Sequence, residues 1–283
     1  MKKRYKNRIP STGDYQAMLH SPLFLDMESF SNSFLKNNEA SLQSYFEKWV
    51  SDPLHQWSRQ WEYPYVFQKI EEYVKKTKND KPVILDAGSG VTFFPYFLLE
   101  KYSNSTVLCA DLDETYTEIY NEINKGQREK VSFSVANLQD LDYGDNSIDI
   151  IYCISVLEHT KNYDAIMDEF RRVLTPGGFL IVTFDISIDG KNDISIDGAE
   201  NLITLLEDKF KVLSHPESIR EAVSSKDILT TTYAYSLDPK LIWRSPPSSL
   251  EAISKNFKSI MSGNGISKFP PYLTVYCMSL RKG

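Results

Sequence analysis

The fold is decided by the stretch Val83-Ile84-Leu85-Asp86-Ala87-Gly88-Ser89-Gly90. It begins as an apolar run typical of a buried strand, and it ends in an acid and a glycine turn. The next segment, Val91 to Tyr102, has the pattern of a helix. A strand, a glycine turn and a helix form the first half of a βαβ unit, in which backbone N–H groups face a ligand beyond the strand's carboxyl end. The stretch therefore predicts a site for a nucleotide-like cofactor.

Around this stretch, short apolar runs alternate with amphipathic segments from Lys81 to Asp185. Such alternation predicts parallel strands joined by crossover helices. The predicted strands are Val83–Asp86, Thr106–Asp111, Val131–Val135, Ile148–Ile154 and Phe179–Phe184. We therefore expect an α/β protein with a five-stranded parallel core.

The residues before the sheet predict a helical cap. Apolar residues recur at helical spacing from Glu39 to Val50, and a second helix is expected from about Pro64 through Lys76. Between them, the aromatic segment Trp57 to Tyr65 is interpreted as a connection that acts as a lid. Residues 1–80 are thus expected to form an N-terminal helical cap, and residues 81–283 the main domain.

The residues after the parallel core predict two more strands, Lys211–Ser214 and Tyr272–Leu280. The long connection between these strands predicts an insertion at about residues 216–270, close to the ligand. A tandem repeat, Asp185–Gly190 and Asp193–Gly198, is interpreted as a hairpin or a surface loop.

Composition and charge exclude several classes of protein. The formal net charge is −6 and no long run of Lys or Arg occurs, so nucleic acid is not expected as a partner. No apolar run is long enough to span a bilayer, and the basic start of the chain is interpreted as a solvated tail. Three cysteines without C-x-x-C spacing and four scattered histidines support neither disulfides nor a metal site. We expect a cytoplasmic monomer or homodimer without a metal or a membrane anchor.

Polar residues at the ends of the predicted strands indicate how a ligand is held. Phe93 stands where a dinucleotide fingerprint has its third glycine, which argues against a pyrophosphate, and Asp86 instead suits a cationic group such as an α-amino group. Asp111 can accept hydrogen bonds from both hydroxyls of a ribose; the alternative role is a helix cap, for which Asp113 is better placed. Asn137 can meet an adenine edge or can simply form a turn.

Five loose motifs occur in a specific order along the chain. They are Leu85-Asp86-Ala87-Gly88-Ser89-Gly90, Ala110-Asp111-Leu112-Asp113, Asp145-Asn146-Ser147-Ile148-Asp149-Ile150-Ile151, Val156-Leu157-Glu158-His159 and Arg172-Val173-Leu174-Thr175-Pro176-Gly177-Gly178. This ordered set closely resembles the class I S-adenosylmethionine-dependent methyltransferases, over about residues 82–184 and the closing strand at 272–280. The resemblance implies a Rossmann-like, mostly parallel sheet of seven strands with the last antiparallel, and S-adenosyl-L-methionine as cofactor.

The resemblance also implies which residues hold the cofactor. Residues Asp86 to Gly90 would contact its methionine part, Asp111 its ribose, and Leu112, Asn137 and Leu138 its adenine. Many relatives carry Asp where this chain has Asn137, and an amide can still meet the adenine amino group. The expected cofactor-binding residues are Asp86, Ala87, Gly88, Ser89, Gly90, Asp111, Leu112, Asn137, Leu138, Cys153 and Arg59.

Three residues are candidates for catalysis: His159, Tyr63 and Tyr65. His159 follows the fourth strand, and an imidazole suits proton removal from an acceptor, but a Glu-His pair here often serves the fold in this family. The two tyrosines belong to the aromatic segment, whose rings can stabilise a sulfonium or can simply pack between two helices.

These observations favour a methyltransferase that acts on a small molecule through O-, N- or C-methylation. Two alternatives stay open. One is an enzyme that uses the same cofactor for cyclisation or aminocarboxypropyl transfer, and the other is a methyltransferase-like binding protein without catalysis. The sequence leaves the acceptor undetermined.

Overall fold

The computed structural model of the protein describes residues 6–127, 131–243 and 269–283. Its helices are α1 (Thr12–Leu19), α2 (Pro22–Asn37), α3 (Glu39–Phe46), α4 (Arg59–Thr77), α5 (Phe94–Lys101), α6 (Tyr116–Lys125), α7 (Tyr163–Val173), α8 (Ile196–Lys209), α9 (Ile219–Ser225) and α10 (Thr231–Leu237). Its strands are β1 (Val83–Ala87), β2 (Thr106–Asp111), β3 (Ser132–Val135), β4 (Ile148–Ile154), β5 (Leu174–Ser187), β6 (Ile194–Ser195), β7 (Lys211–Val212) and β8 (Leu273–Arg281). Residues 1–5 of the basic start and residues 244–268 of the predicted insertion lie outside the described residues.

The strands form one mixed sheet in the order β3-β2-β1-β4-β5-β8-β7, with β6 paired to β5 outside this path. Strands β1 to β5 pair in parallel, whereas β8 is antiparallel to both β5 and β7. The predicted α/β fold, a Rossmann-like and mostly parallel sheet with an antiparallel last strand, is confirmed. Strand β5 is longer than the predicted Phe179–Phe184 because β8 pairs with it as far as Ser187.

Apolar side chains pack against both faces of the sheet. Ile84 and Leu85 are neighbours on β1, and they belong to separate apolar clusters because successive side chains on a strand point to opposite faces. The cluster around Ile84 includes Trp61 of α4 and Phe94 of α5, so the N-terminal helices share one core with the sheet. Across the described ranges, every helix falls short of the length and apolar character needed to span a bilayer.

The aromatic segment Trp57 to Tyr65 is largely helical, and its interpretation as a connection is wrong. Helix α4 begins at Arg59 and carries Pro64 in its interior. The sequence-based start at Pro64 followed from the preference of proline for a first helical turn. An interior proline removes a hydrogen bond to the carbonyl four residues earlier, here Gln60, and this cost is tolerated because the segment from Gln60 to Phe67 is buried.

The tandem repeat does not form a hairpin: residues 188–193 make an exposed turn between two strands that pair in parallel. Its second copy supplies β6, which pairs with the end of β5 in parallel, with Ile186 opposite Ile194. The turn between the copies closes on Ser187, whose Oγ accepts hydrogen bonds from the backbone N–H groups of Lys191 at 3.0 Å and Asn192 at 3.1 Å. This connection brings the following residue, Asp193, to the carboxyl end of the sheet, where it lines a cavity.

Candidate functional site

A cavity of about 630 Å³ lies at the carboxyl ends of the parallel strands. The glycine turn after β1, the end of β2 and the loops after β3, β4 and β5 form its floor, and residues from α3 to α4 cover it. Its lining includes the predicted residues Arg59, Tyr63, Asp86, Gly88, Ser89, Gly90, Asp111, Leu112, Asn137, Leu138 and His159.

The glycine turn brings the backbone close to two neighbouring segments. Gly88 has a φ of +79°, and a Cβ on it would lie 2.5 Å from Val156 Cγ2. Gly90 has a φ of +51°, and a Cβ there would lie 2.6 Å from the hydroxyl oxygen of Tyr45. Both positions therefore need glycine, for backbone conformation and for space. The turn is fixed to β2 by a hydrogen bond from Gly88 N–H to the Ala110 carbonyl at 2.8 Å.

Two carboxylates flank this turn. Asp86 is the penultimate residue of β1, beside both neighbouring strands, and is only 5% exposed. Burial, with a smaller contribution from the negative charge of Asp111, raises the pKa of Asp86 to about 8. Asp111 accepts a hydrogen bond from the Gly90 N–H at 2.9 Å, and its other oxygen accepts one from Asp113 N–H at 3.3 Å. Asp111 thus joins the glycine turn to the loop after β2 while still facing the cavity.

The loop after β3 forms the far wall of the same pocket. Asn137 Oδ1 accepts a hydrogen bond from the backbone N–H of Gln139 at 3.0 Å, which is the turn-forming role considered as an alternative. Its amide nitrogen is not used in that turn. Leu112 is 70% exposed and Leu138 is buried, so the two leucines offer apolar surface on either side of Asn137.

A buried hydrogen-bond network fixes Arg59 in the cavity wall. Arg59 donates hydrogen bonds to Glu62 and to Ser155, and Ser155 Oγ donates to Glu62 at 2.8 Å. Glu62 is completely buried and also accepts from Thr183 of β5. The network ties the cap helix α4 to the ends of β4 and β5, and it keeps a guanidinium at the cavity.

The structure separates the two candidate tyrosines. Tyr63 lies four residues after Arg59, on the same face of α4, and lines the cavity against the ring of Phe93 at 5.1 Å. Tyr65 is about 200° further around the helix and faces the opposite way. It is fully buried, and its hydroxyl donates to Asn7 Oδ1 at 3.4 Å, so its assignment as a catalytic residue is wrong.

Two further predicted residues do not line the cavity. Ala87 and Cys153 are fully buried in the apolar cluster on the opposite face of the sheet. Ala87 follows Asp86, and the alternation of a strand turns it away from the side that Asp86 faces. The expectation that these two side chains contact the cofactor is therefore corrected.

His159 does line the cavity, from a short 3₁₀ turn at Leu157–His159, but its side chain is exposed at the rim. Two other titratable groups lie further in: Glu158 precedes it, and Asp185 lies near the end of β5. Both residues occur in the sequence motifs described above, but neither has a predicted role at the site. The position of Asp185 at a strand's carboxyl end, as for Asp86 and Asp111, was the available signal.

Burial dominates the electrostatics of this inner pair. It raises the pKa of Glu158 to about 8, and the neighbouring charges of Glu62 and Asp193 act in the same direction while Arg59 opposes them. Burial and the charge of Glu158 raise the pKa of Asp185 well above its ordinary value. The inner end of the cavity is therefore short of positive charge.

Aromatic residues cover the cavity. Trp57 belongs to the segment expected to act as a lid and Trp243 to the insertion expected close to the ligand, whereas Tyr45 and Trp49 had no predicted role at the site. Tyr45, Trp49 and Trp57 line the cavity from α3 and the segment before α4, and Trp243 lines it from the other side. Their apolar rings form the cover over a floor of carboxylates and backbone groups.

Comparison with known proteins identifies relatives of the region that builds this floor. Residues 85–182 match the family described as Methyltransferase domain. An uncharacterised protein of Methanocaldococcus jannaschii is 29% identical over 197 residues, which cover 69% of this chain and 77% of that protein. Methyltransferase GfsG of Streptomyces halstedii is 33% identical over 125 residues, which cover 43% of this chain and 44% of GfsG. The match thus spans less than half of the length of GfsG.

A solved structure shares the fold at low sequence identity. The cyclase SpnF aligns with a TM-score of 0.52 and 16% identity, over 76% of this chain and 80% of that chain. At this identity the similarity concerns the arrangement of helices and strands.

Proposed function

Because this chain belongs to the class I S-adenosylmethionine-dependent methyltransferase superfamily, we propose that it transfers a methyl group from S-adenosylmethionine to a small molecule. The observation that carries the proposal is the cavity of about 630 Å³. One wall carries the residues suited to a nucleoside, Asp111, Leu112, Asn137 and Leu138, and aromatic side chains of the cap form another wall. A covered cavity of this size suits a cofactor together with a small acceptor.

The cofactor is S-adenosylmethionine, and the cavity residues fit its groups. We assign the Asp86 carboxylate to the α-ammonium group and the Arg59 guanidinium to the carboxylate of the methionine part, since each offers the opposite charge. The Asp111 carboxylate is assigned to the ribose hydroxyls, and the Leu112, Asn137 and Leu138 side chains to the adenine. When bound, the cofactor supplies an electrophilic methyl group on a sulfonium.

The protein's own residues then have a limited task. Methyl transfer is an in-line displacement, so the glycine turn and the cap mainly align the reactants and exclude water. Burial raises the pKa of Tyr63, so its hydroxyl serves as a hydrogen-bond donor rather than as a base. His159 at the rim is proposed to pass a proton to solvent, because its imidazole is exposed there.

The alternatives differ in the fate of the cofactor. Methyl transfer leaves S-adenosylhomocysteine, methylthioadenosine shows that another carbon–sulfur bond broke, and a binding protein without catalysis leaves the cofactor unchanged. The fold similarity to a cyclase does not separate these cases, and mass spectrometry of the spent cofactor does.

The first experiment is calorimetry of the purified chain with S-adenosylhomocysteine and, separately, with a nicotinamide dinucleotide. The proposal expects binding of the first ligand at one site per chain and no measurable binding of the second. Absence of S-adenosylhomocysteine binding at high micromolar ligand overturns the proposal.

A further inference from the structure

Two carboxylates at the inner end of the cavity have no assigned role in holding the cofactor. Glu158 follows β4, and Asp185 lies near the end of β5. Both line the cavity. Their side chains meet there because the carboxyl ends of paired parallel strands lie at one edge of the sheet, with Ile154 of β4 opposite Thr183 of β5.

Each of these carboxylates has one oxygen that is buried and unsatisfied. Glu158 Oε2 and Asp185 Oδ1 are out of contact with solvent and accept no hydrogen bond from any residue in ranges 6–127, 131–243 and 269–283. Leaving a buried acceptor unpaired costs about 1–3 kcal/mol, and more for a charged group. A cation bound against these two carboxylates would offset part of that cost.

The charge around the pair calls for a cation. Arg59 is a positive group that acts on both carboxylates, and it already donates a hydrogen bond to the buried Glu62. Asp193, from the turn before β6, adds a further negative charge to the same end of the cavity. Burial favours the neutral form of both carboxyls in the free protein, and a ligand cation between them favours their ionised form.

The aromatic lining of the cavity favours an organic cation over a metal ion. Trp57, Trp243 and Tyr63 line the same cavity, and aromatic faces attract ammonium groups. In the described part of the chain, no three His, Cys, Asp or Glu side chains are grouped so that they can hold a metal ion.

We propose that the methyl acceptor is an amine whose nitrogen lies between Glu158 and Asp185. This inference rests on the proposed methyltransferase function and adds the chemical class of the substrate. The ammonium form of the acceptor donates hydrogen bonds to the carboxylates of Glu158 and Asp185, and its apolar part packs against the tryptophans.

The same pair can prepare the nitrogen for reaction. One carboxylate takes a proton from the ammonium, which frees the nitrogen lone pair. The nitrogen then forms a bond to the methyl carbon, the carbon–sulfur bond breaks with its electrons left on sulfur, and the product is a methylated ammonium ion. The proton held by the carboxylate leaves to solvent, so one proton is released per methyl transferred.

The test compares amines with alcohols of the same skeleton in the presence of saturating S-adenosylhomocysteine. The probes are a series of primary amines from ethylamine through phenethylamine to tryptamine, each paired with its hydroxyl counterpart. Calorimetry should show at least one amine that binds about ten-fold or more tightly than its alcohol. If no amine in the series exceeds its alcohol, the proposal is overturned.

Two variants localise the effect. Glu158→Gln and Asp185→Asn should each weaken binding of the best amine by about ten-fold or more, while the affinity for S-adenosylhomocysteine stays within about two-fold. The control is Asp208→Asn, an exposed acid of α8 outside the cavity, which should change neither affinity. Unchanged amine affinity in both cavity variants contradicts the proposal. If the unaltered protein does not bind S-adenosylhomocysteine, the proposed function itself is refuted.

Discussion

The guanidinium of Arg59 donates a hydrogen bond to the carboxylate of Glu62, and that carboxylate is completely buried. Arg59 itself is 25% exposed toward the cavity. The buried acid is therefore the fixed end of the pair, and the arginine is the end available to a ligand. Ser155 and Thr183 hold Glu62 from β4 and β5, which couples the cap to the sheet.

Glu62→Gln should destabilise the protein because it removes the buried negative charge that compensates Arg59. We expect the free energy of unfolding to fall by about 3 kcal/mol in urea denaturation followed by circular dichroism. The control is Glu71→Gln on the same helix, which breaks an exposed pair with Lys75 and should cost less than about 1 kcal/mol. Equal losses in the two variants would show that the buried pair has no special role.

Asp111→Asn should weaken cofactor binding through the ribose. An amide offers one acceptor oxygen where the carboxylate offers two, and the backbone N–H groups of Gly90 and Asp113 already donate to one carboxylate oxygen each. The affinity for S-adenosylhomocysteine is expected to fall about ten-fold or more in calorimetry. Asp113→Asn is the matched control, because Asp113 accepts from Thr115 N–H at 3.0 Å in the adjacent turn. A similar loss in both variants would argue against the ribose assignment.

Gly88→Ala should cost more stability than Gly177→Ala. Both glycines have positive φ, +79° and +81°, so the backbone strain is similar. A Cβ at Gly177 meets nothing within 4 Å, whereas at Gly88 it would clash with Val156. Thermal or urea unfolding should show a loss of about 1–2 kcal/mol at Gly177 and a clearly larger loss at Gly88. If the two losses match, the close approach to Val156 is not a constraint.

His55 should give the cap a pH-dependent stability. Its Nδ1 lies 2.7 Å from Asp52 Oδ2 and its Nε2 lies 2.9 Å from Glu28 Oε1. The hydrogen bond to Asp52, followed by that to Glu28, raises the pKa of His55 from 6.5 to about 9 despite partial burial. Its stabilising contribution is thus complete below about pH 6.5 and is lost as the pH rises through about 9.

The measurement compares the unaltered protein with His55→Gln at about pH 6 and about pH 10. Because all three side chains are about one-third exposed, screening should limit the difference in unfolding free energy to about 1–2 kcal/mol at the lower pH. The difference should nearly vanish at the higher pH. A difference that is independent of pH would contradict a stabilising interaction of protonated His55 with Asp52 and Glu28.

Asp86 should release a proton when the cofactor binds. Its pKa of about 8 in the free protein leaves the carboxyl protonated at neutral pH, and a ligand ammonium favours the ionised form. The affinity for S-adenosylhomocysteine should therefore rise with pH up to about 8, by at most about ten-fold per pH unit. Calorimetry in buffers of different ionisation enthalpy measures the proton directly. Asp86→Asn should remove this release, and persistence of the full release would assign it to another group.

The sheet and the cofactor floor were predictable because their signals are local. The apolar run from Val83, the glycines at 88 and 90 and the acid at 111 each lie at a strand or at its end, and parallel strands bring such ends together. Two site predictions are wrong because successive side chains of a strand point to opposite faces of the sheet. Ala87 and Cys153 lie on the correct strands but on the opposite face, which the motif alone did not indicate.

The cap was less predictable because its geometry depends on tertiary packing. Pro64 indicated a helix start, but burial of α4 carries the helix through it, and that turns Tyr63 toward the cavity and Tyr65 away. Glu158 and Asp185 are far apart in sequence, and only the pairing of β4 with β5 brings them to one edge. Asp185 directly follows a predicted strand, which is a local signal, whereas no local signal distinguishes Glu158 from a solvated acid.

The central claim is tested most directly by following the methyl group itself. The protein is incubated with S-adenosylmethionine carrying an isotopically labelled methyl group and with the amine that binds best, and the products are identified by mass spectrometry. We predict that the N-methylated form of that amine, carrying the label, and S-adenosylhomocysteine are produced in equal amounts. Methylthioadenosine as the product, or a bound cofactor whose label never reaches the acceptor, would contradict the account.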